Sequence, residues 1–431
     1  MANSKMLRKT ALFTALASTG MFALPNGAMA ADTLEAALKE SKTQLLLRPR
    51  YENVTQESLV TDDVQHSDAF TLKTRLTFTT GSFFDTSVLL EFDDTTALKD
   101  EDYSDGAGNG QAGPVIADPE LTEINQVYLS YKGLDKTDFR YGRQRILLDN
   151  ERFVGGVGWR QNEQTYDAVS VANTSIPGLT GFLAHVYNVN RIFGEDSTSA
   201  NVGEYHTDTT LLNVKYAFEG IGALSGYYYD LDYLEVAPAL STKTMGVRFA
   251  GSTKLDPVTL GYEVEYATQS ESGDSTKDFD ADYYLVSATV GFDVFTFGIA
   301  QEVLGADDGA KIAGADANVA FTTPLATLHK FQGWADLFLA TPEFGIEDTY
   351  VTFKAGLPMG MELLAMYHIF ESDIDTNVDE NSYGNEIDVA LSKKFSNGAT
   401  LMLKYADFSG EEDGLFKTDV SKVWVMATYA I

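Results

Sequence analysis

The chain has 431 residues, 63 acidic against 31 basic side chains, a formal charge of −32 and no cysteine. So acidic a balance opposes nucleic-acid binding, and the lack of cysteine removes disulfides and thiol chemistry from consideration. Against that background, five of the eleven arginines are gathered between Arg140 and Arg160, which points to a local task, the handling of an anion.

Residues 1–30 carry Lys5, Arg8 and Lys9 with no acid, then an apolar run from Ala11 to Leu24 and the small-residue site Ala28-Met29-Ala30. This pattern predicts a secretory signal peptide. The run is too short and too polar for a membrane-spanning helix, which needs ~20 apolar residues. Residues 31–43 follow as a short periplasmic segment. Leu34, Ala37 and Leu38 fall at helical spacing there, and a disordered tail is the alternative.

From residue 44 to 431 the dominant signal is period-two alternation. In Gln44 to Asn53, Gln44, Leu46, Arg48, Arg50 and Glu52 alternate with Leu45, Leu47, Pro49, Tyr51 and Asn53. From Phe70 to Thr80 one face holds Phe70, Leu72, Leu76 and Phe78 and the other Thr71, Lys73, Arg75, Thr77 and Thr79. Val258 to Ala267 sets Val258, Leu260, Tyr262, Val264 and Tyr266 against Thr259, Gly261, Glu263, Glu265 and Ala267. Runs of about ten alternating residues match tilted bilayer-crossing strands, whereas strands of soluble sheets average ~5 to 6 residues. The 22 tyrosines and 26 phenylalanines can furnish aromatic girdles. The expected fold class is all-β, a transmembrane antiparallel barrel in the outer membrane.

The connections refine the count. Short turns at Gly81-Ser82, Gly133-Leu134-Asp135 and Ile176-Pro177-Gly178 alternate with loops at 56–67, 99–121 and 150–163. From the C-terminus, a loop at 409–417, a turn at Ser396-Asn397-Gly398, a loop at 372–384 and a turn at Leu357-Pro358-Met359 keep the same rhythm. The two readings agree if His329 to Pro342 belongs to an outer loop of about 305–345 that can fold inward. About 18 strands then remain, within a range of 16 to 18, joined by short periplasmic turns and long acidic outer loops. A barrel that wide leaves an aqueous channel.

On the strand expected from Thr137 to Leu148, Tyr141, Arg143 and Arg145 share a face. Charge facing lipid at mid-membrane costs ~2 to 4 kcal/mol, so this face is expected to line the lumen. Arg152 and Arg160 follow in the loop, and Arg48, Arg50, Lys73 and Arg75 face the same sector. Arg140 has opposite parity and is expected at the periplasmic rim. Guanidinium groups bind carboxylates bidentately, and rings of them select anions. These arginines can also pair with Asp149, Glu151, Glu163 or Asp167.

The run GRQRILLDNERFVGGVGWRQNEQTYDAV (142–169), HKFQGWADLFLATPEFGIEDTYV (329–351), YGNEIDV (383–389) and RPRYENV (48–54) together resemble the alginate-export family of outer-membrane porins. The resemblance implies an eighteen-stranded barrel with a narrow arginine-lined pore for an anionic polysaccharide. Carried over, the lining falls on Arg48, Arg50, Arg143, Arg145, Arg152 and Arg160, and the alternation adds Arg75. The chain departs from the usual aromatic ending of such barrels by closing on Tyr429-Ala430-Ile431.

The expected function is a channel for an acidic oligo- or polysaccharide or small carboxylates. The alternative is a structural or adhesive barrel with a plugged lumen, whose acidic loops (Asp100, Glu101, Asp102, Asp105; Asp373, Asp375, Asp379, Glu380) bind divalent cations. No HExxH or GxSxG motif occurs, and neither an enzymatic activity nor a cofactor is expected. Expected partners are outer-membrane lipid, lipopolysaccharide and the barrel-assembly machinery.

Overall fold

A computed structural model describes residues 31, 33–99, 101–376 and 381–431. The expected signal peptide, 1–30, lies outside the described residues, as do Asp100, Asp379 and Glu380. A short helix, α1 (Leu34–Lys39), is capped by the Thr33 hydroxyl, which accepts from the Ala36 amide at 3.1 Å. Ala37 of that helix is buried, and its carbonyl accepts from the Gly81 amide, which ties the helix to the first periplasmic turn.

Eighteen antiparallel strands follow. They are β1 (Lys42–Ser58), β2 (Val64–Thr79), β3 (Thr86–Ala97), β4 (Leu121–Tyr131), β5 (Thr137–Gln144) and β6 (Thr165–Asn173). Next come β7 (Leu179–Asn190), β8 (Glu204–Phe218), β9 (Gly222–Leu231), β10 (Thr242–Leu255), β11 (Val258–Glu271) and β12 (Asp280–Phe292). The last six are β13 (Phe295–Leu304), β14 (Ile346–Leu357), β15 (Met361–Glu371), β16 (Ser382–Lys394), β17 (Thr400–Ser409) and β18 (Thr418–Ala430). Each pairs with its sequence neighbour, and β1 closes on β18 with Tyr51 opposite Val425. Ile431 exchanges both backbone hydrogen bonds with Leu45, so the non-aromatic chain end still completes the closing seam.

The alternation has one meaning throughout. In β11, Val264 and Tyr266 are exposed outward while Glu265 and Ala267 are buried inward. An apolar outward band over a polar inward face is what lipid outside and water or packed protein inside select.

Two differences from the expected boundaries matter. The hairpin β1–β2 runs beyond the predicted strands, stitched by pairs such as Thr55 and His66 at 3.0 Å, and the loop expected at 56–67 contracts to 59–63. The strand expected to reach Leu148 stops at Gln144, because Arg145 and the residues after it leave the wall for the lumen.

The interior is filled from two connections, 145–164 and the later part of 305–345. They meet each other where Val154 bridges Leu325 and the Gly155 amide donates to the Leu325 carbonyl at 2.8 Å. A side chain at Gly155 would strike the Thr327 backbone and hydroxyl, so this approach needs glycine. Phe153, Tyr283 and Phe321 pack edge-on and tilted between segments and wall, with ring centroids 5.2 to 5.9 Å apart.

Candidate functional site

Residues 145–164 form a cross-bar that leaves the wall at β5 and touches most of the barrel before returning. Asp149 accepts from Ser225 Oγ of β9 at 2.7 Å and from Asn213 of β8 at 2.6 Å. Asn150 donates to Glu263 of β11 at 3.2 Å, and Arg152 Nε lies 2.7 Å from Glu302 of β13. The bar then comes back to β1, where the Trp159 carbonyl accepts from Arg50 at 2.6 Å. Three of its non-glycine residues, Asp149, Glu151 and Val157, are left-handed, at φ 50°, 68° and 49°. For β-branched Val157 that stores about 1–3 kcal/mol, which the surrounding contacts must offset.

The structure separates the seven candidate arginines into three groups. Arg48, Arg75 and Arg145 remain partly open to the lumen. Arg48 holds the bar through Gln161 Oε1 and the Gly158 carbonyl, both at 2.9 Å, and through the Arg160 carbonyl. Arg75 makes a two-pronged pair with Asp93 at 2.7 and 2.6 Å and reaches Glu163 at 2.5 Å. Arg145 pairs with Glu163 at 2.6 Å and Glu91 at 3.2 Å.

Arg50, Arg152 and Arg160 are buried struts rather than water-facing groups. Arg50 pairs with Glu52 at 3.0 Å and with Asp118, and its guanidinium lies 5.2 Å from the Trp159 ring centre. Arg152 is held by Glu302, Gln332 and Thr323. Arg160 joins Glu52 at 3.0 Å to Asp336 at 2.9 Å, which binds the cross-bar to both the wall and the second segment.

Arg143 contradicts the lumen expectation. It shares a face with Phe139 and Tyr141, which are exposed, and pairs across the sheet with exposed Val127. It therefore points outward at the extracellular end of β5, against Asp167 at 2.9 Å and Glu195 at 3.5 Å. Near that boundary a lipid-side charge costs only ~0 to 1 kcal/mol, well below the mid-membrane penalty, so an outward Arg143 is tolerated. Arg140 lies near the periplasmic end of β5 and faces inward, paired with Asp138 at 2.9 Å and lying 5.0 Å from the Tyr128 ring centre.

Exposure gives the open group its character. The side chains of Arg145 and Arg75 are 28% and 13% exposed, whereas those of Glu163, Glu91 and Asp93 are 7%, 6% and 0% exposed. Guanidinium faces water and carboxylate lies behind it. Burial alone would raise the Glu163 carboxyl, but Arg145, Arg75 and Lys73 outweigh it and hold it well below the usual carboxylate range.

Several participants carried no sequence signal in the basic cluster. Lys404 of β17 sits among all three tryptophans of the chain, with Nζ 3.5, 4.3 and 5.4 Å from the ring centres of Trp334, Trp159 and Trp424. Its Nζ donates to His329 Nε2 at 2.6 Å, which leaves Nδ1 to donate to Asp336 at 2.6 Å. Burial pushes the His329 imidazole down to about 3 in spite of Asp336, so the ring is neutral. Glu386 of β16 receives the Trp334 and Ala335 amides, the latter at 2.8 Å, and anchors the second segment. Lys215 and Arg248 were also missed. Arg248 was legible, since it shares the small and polar face of Thr242, Thr244 and Gly246 in β10.

Among the described residues, no group of three or more His, Asp or Glu side chains is arranged to hold a metal. Asp105 accepts from the backbone amides of Ala107 and Gly108 at 2.8 and 3.1 Å, and Asp373 from that of Ala306 at 2.9 Å, so both shape their loops.

The structure resembles solved barrels of Pseudomonas aeruginosa. Against OccK1 (OpdK) the TM-score is 0.68 at 15% identity, covering 91% of this chain and 99% of that one. OccK9 (OpdG) gives 0.68 at 15% identity over 92% and 99%, and OpdL 0.65 at 16% over 91% and 99%. At such identity the likeness concerns the fold. No curated protein matches the chain. The family model for alginate export matches residues 40–300, which takes in the arginine cluster and stops short of the second in-folded segment. With a match over more than half its length and a closed eighteen-stranded antiparallel barrel, the chain belongs to the alginate-export family of outer-membrane porins.

Proposed function

We propose that this porin passes anionic solutes, an acidic oligo- or polysaccharide or small carboxylates, through a constriction formed by the cross-bar and the β1–β5 wall. The observation that carries the reading is the exposure order at Arg145, Arg75, Glu163, Glu91 and Asp93, in which the cations face water and their carboxylates are covered. An anion in the lumen meets the guanidinium groups first. At ~4 Å and an effective dielectric of ~20 one such charge contributes ~4 kcal/mol, whereas loop acids beyond the ~8 Å Debye length are screened. Arg48, Arg75 and Arg145 are the contact residues in this account, and Arg50, Arg152 and Arg160 position the bar. Outer-membrane lipid and lipopolysaccharide cover the outward band, and the barrel-assembly machinery inserts it.

A structural barrel with a plugged lumen draws support from the burial of both in-folded segments. Planar-bilayer recording decides between the two. The channel reading expects open steps that anionic sugars block, with anion preference reduced in Arg145→Gln and Arg75→Gln. The absence of steps from correctly folded protein favours the plugged barrel.

A further inference from the structure

The inward face of β15 to β18 and β1 changes character on the periplasmic side of the anchored second segment. Leu364 and Met366 of β15, Ala390 of β16, Met402 of β17, Met426 of β18 and Leu46 of β1 lie toward the ends of their strands that meet the periplasmic turns. They share parity with buried His368, Asp388, Lys404, Trp424 and Arg50, whereas Tyr367, Ile387, Leu403 and Val425 between them are exposed to lipid. All six therefore face the lumen, Met426 nearly covered and the other five half-buried. They form one surface, because Leu364 is opposite Ala390 and Met402 is opposite Met426 across their strand pairs. The periplasmic ends of β2, β4 and β5 instead turn Thr77, Ser130, Asp138 and Arg140 inward, with Thr77 bonded to Glu91 and Ser130 to Asp138, both at 2.6 Å.

This apolar band runs into the anion contact. Leu46 is opposite Arg75 across β1 and β2, and it lies two residues from Arg48 on the same face. A solute whose carboxylate meets Arg75 or Arg48 can lay its remaining atoms on Leu46 and the methionines beside it. Hydroxyl groups laid there lose water and gain no partner, which is unfavourable. A hydrocarbon body displaces the same water at a gain of ~25 cal/mol per Å². Unbranched methionine side chains adapt to apolar bodies of varied shape.

We propose that this band makes the porin favour carboxylates with an apolar body, a hydrocarbon ring or short alkyl chain, over sugar acids of the same size and charge. The inference rests on the anion-channel reading above and names the solute class of that channel. Cyclohexanecarboxylate and galacturonate form the test pair, since each has one six-membered ring and one carboxylate and they differ chiefly in hydroxyl groups. Block of single-channel current by each is measured in the wild-type porin, Met402→Gln, Leu46→Gln, the double variant and Met402→Leu. In wild type cyclohexanecarboxylate is expected to block at a concentration about tenfold below galacturonate, a difference of ~1.4 kcal/mol. The cover of ~55 Å² of apolar surface, within reach of one ring face, accounts for that difference. The preference is expected to fall several-fold in each glutamine variant and further in the double variant, and to persist in Met402→Leu, while the preference for chloride over potassium stays at its wild-type value in all four. The two single substitutions lie on different strands, so one remains available if the other does not insert. Galacturonate that blocks as well as cyclohexanecarboxylate in wild type, or a preference unchanged in both Met402→Gln and Leu46→Gln, overturns the apolar band as a selecting surface and leaves anion selectivity intact. A wild-type channel that prefers cations overturns the anion-channel reading and this inference with it.

Discussion

The wall from β1 to β5 and the wall from β13 to β17 both carry rows of charge on their inward faces, yet they are covered to different extents. On the first, Arg50, Glu52 and Lys73 are buried, but Arg75 stays open to the lumen beside Arg145 of the cross-bar, above buried carboxylates. On the second, Glu302, Asp348, Glu386 and Asp388 are all nearly fully buried, beneath the second in-folded segment. There they anchor the chain: Glu302 holds Arg152 and Gln332, and Glu386 holds the amides of Trp334 and Ala335. Inward parity therefore does not by itself make a residue part of a pore. What covers it decides whether its charge meets solute or supports the loop.

The sharpest way to break this division is to remove an anchor. Arg152→Met leaves Glu302 buried without its cation, which is expected to cost about 3–5 kcal/mol. Glu386→Ala orphans two backbone amides at about 1–3 kcal/mol each. Both variants are expected to lower the thermal unfolding temperature in detergent and to give larger, noisier open steps as the in-folded segments loosen. Unchanged melting and quiet steps contradict the anchor role.

Acid is a milder probe of the same anchors. His329 is neutral when folded, with its pKa lowered from the ordinary 6.5 to about 3. A lowered folded value means that its contribution is present above 6.5 and is lost as pH falls from 6.5 toward 3, by up to ~1.4 kcal/mol per unit. Burial would raise the Asp336 carboxyl, but the charges of Lys422 and Arg160 and the hydrogen bond from His329 hold it well below the carboxylate range, so its contribution also fades on acidification. Channel noise and melting followed from pH 7 to 4 are expected to show progressive loosening. His329→Gln is expected to flatten the part of that slope that lies above pH 5.

On the solute-facing side the expected effects are on selectivity rather than stability. Arg145→Gln removes the most open guanidinium of the cluster and is expected to lower the anion-to-cation permeability ratio several-fold with little change in melting. Arg143→Gln gives the smallest effect. Its side chain points outward, so selectivity is expected to stay at the wild-type value and stability to change by no more than about 1 kcal/mol. A selectivity change in Arg143→Gln as large as that in Arg145→Gln contradicts the orientation of β5.

The contrast also shows what the sequence could tell. Alternation and the rhythm of short and long connections carry strand number and closure, because lipid on one side and protein or water on the other act on every strand alike. The orientation of β5 follows Phe139 and Tyr141, whose exposed rings set the lipid face, and not Arg143, which lies close enough to the boundary to reach water. In the structure Gln144 ends the strand, and Arg145 belongs to the cross-bar. The pairing of Arg143 with Asp167 and of Arg145 with Glu163 was legible as local charge balance. The meeting of Trp159, Trp334 and Trp424 around Lys404 was not, since it depends on two loops that pack together only inside a closed barrel. The same holds for the burial of Glu386 and Asp388, which read along β16 as ordinary inward polar residues.

Whether the cations at the constriction outweigh the acidic remainder of the protein is read from the zero-current potential of the purified wild-type channel across a potassium chloride gradient. The expected reversal potential has the sign of chloride preference and is displaced toward zero in Arg145→Gln. A potential with the sign of potassium preference in the wild-type protein contradicts it.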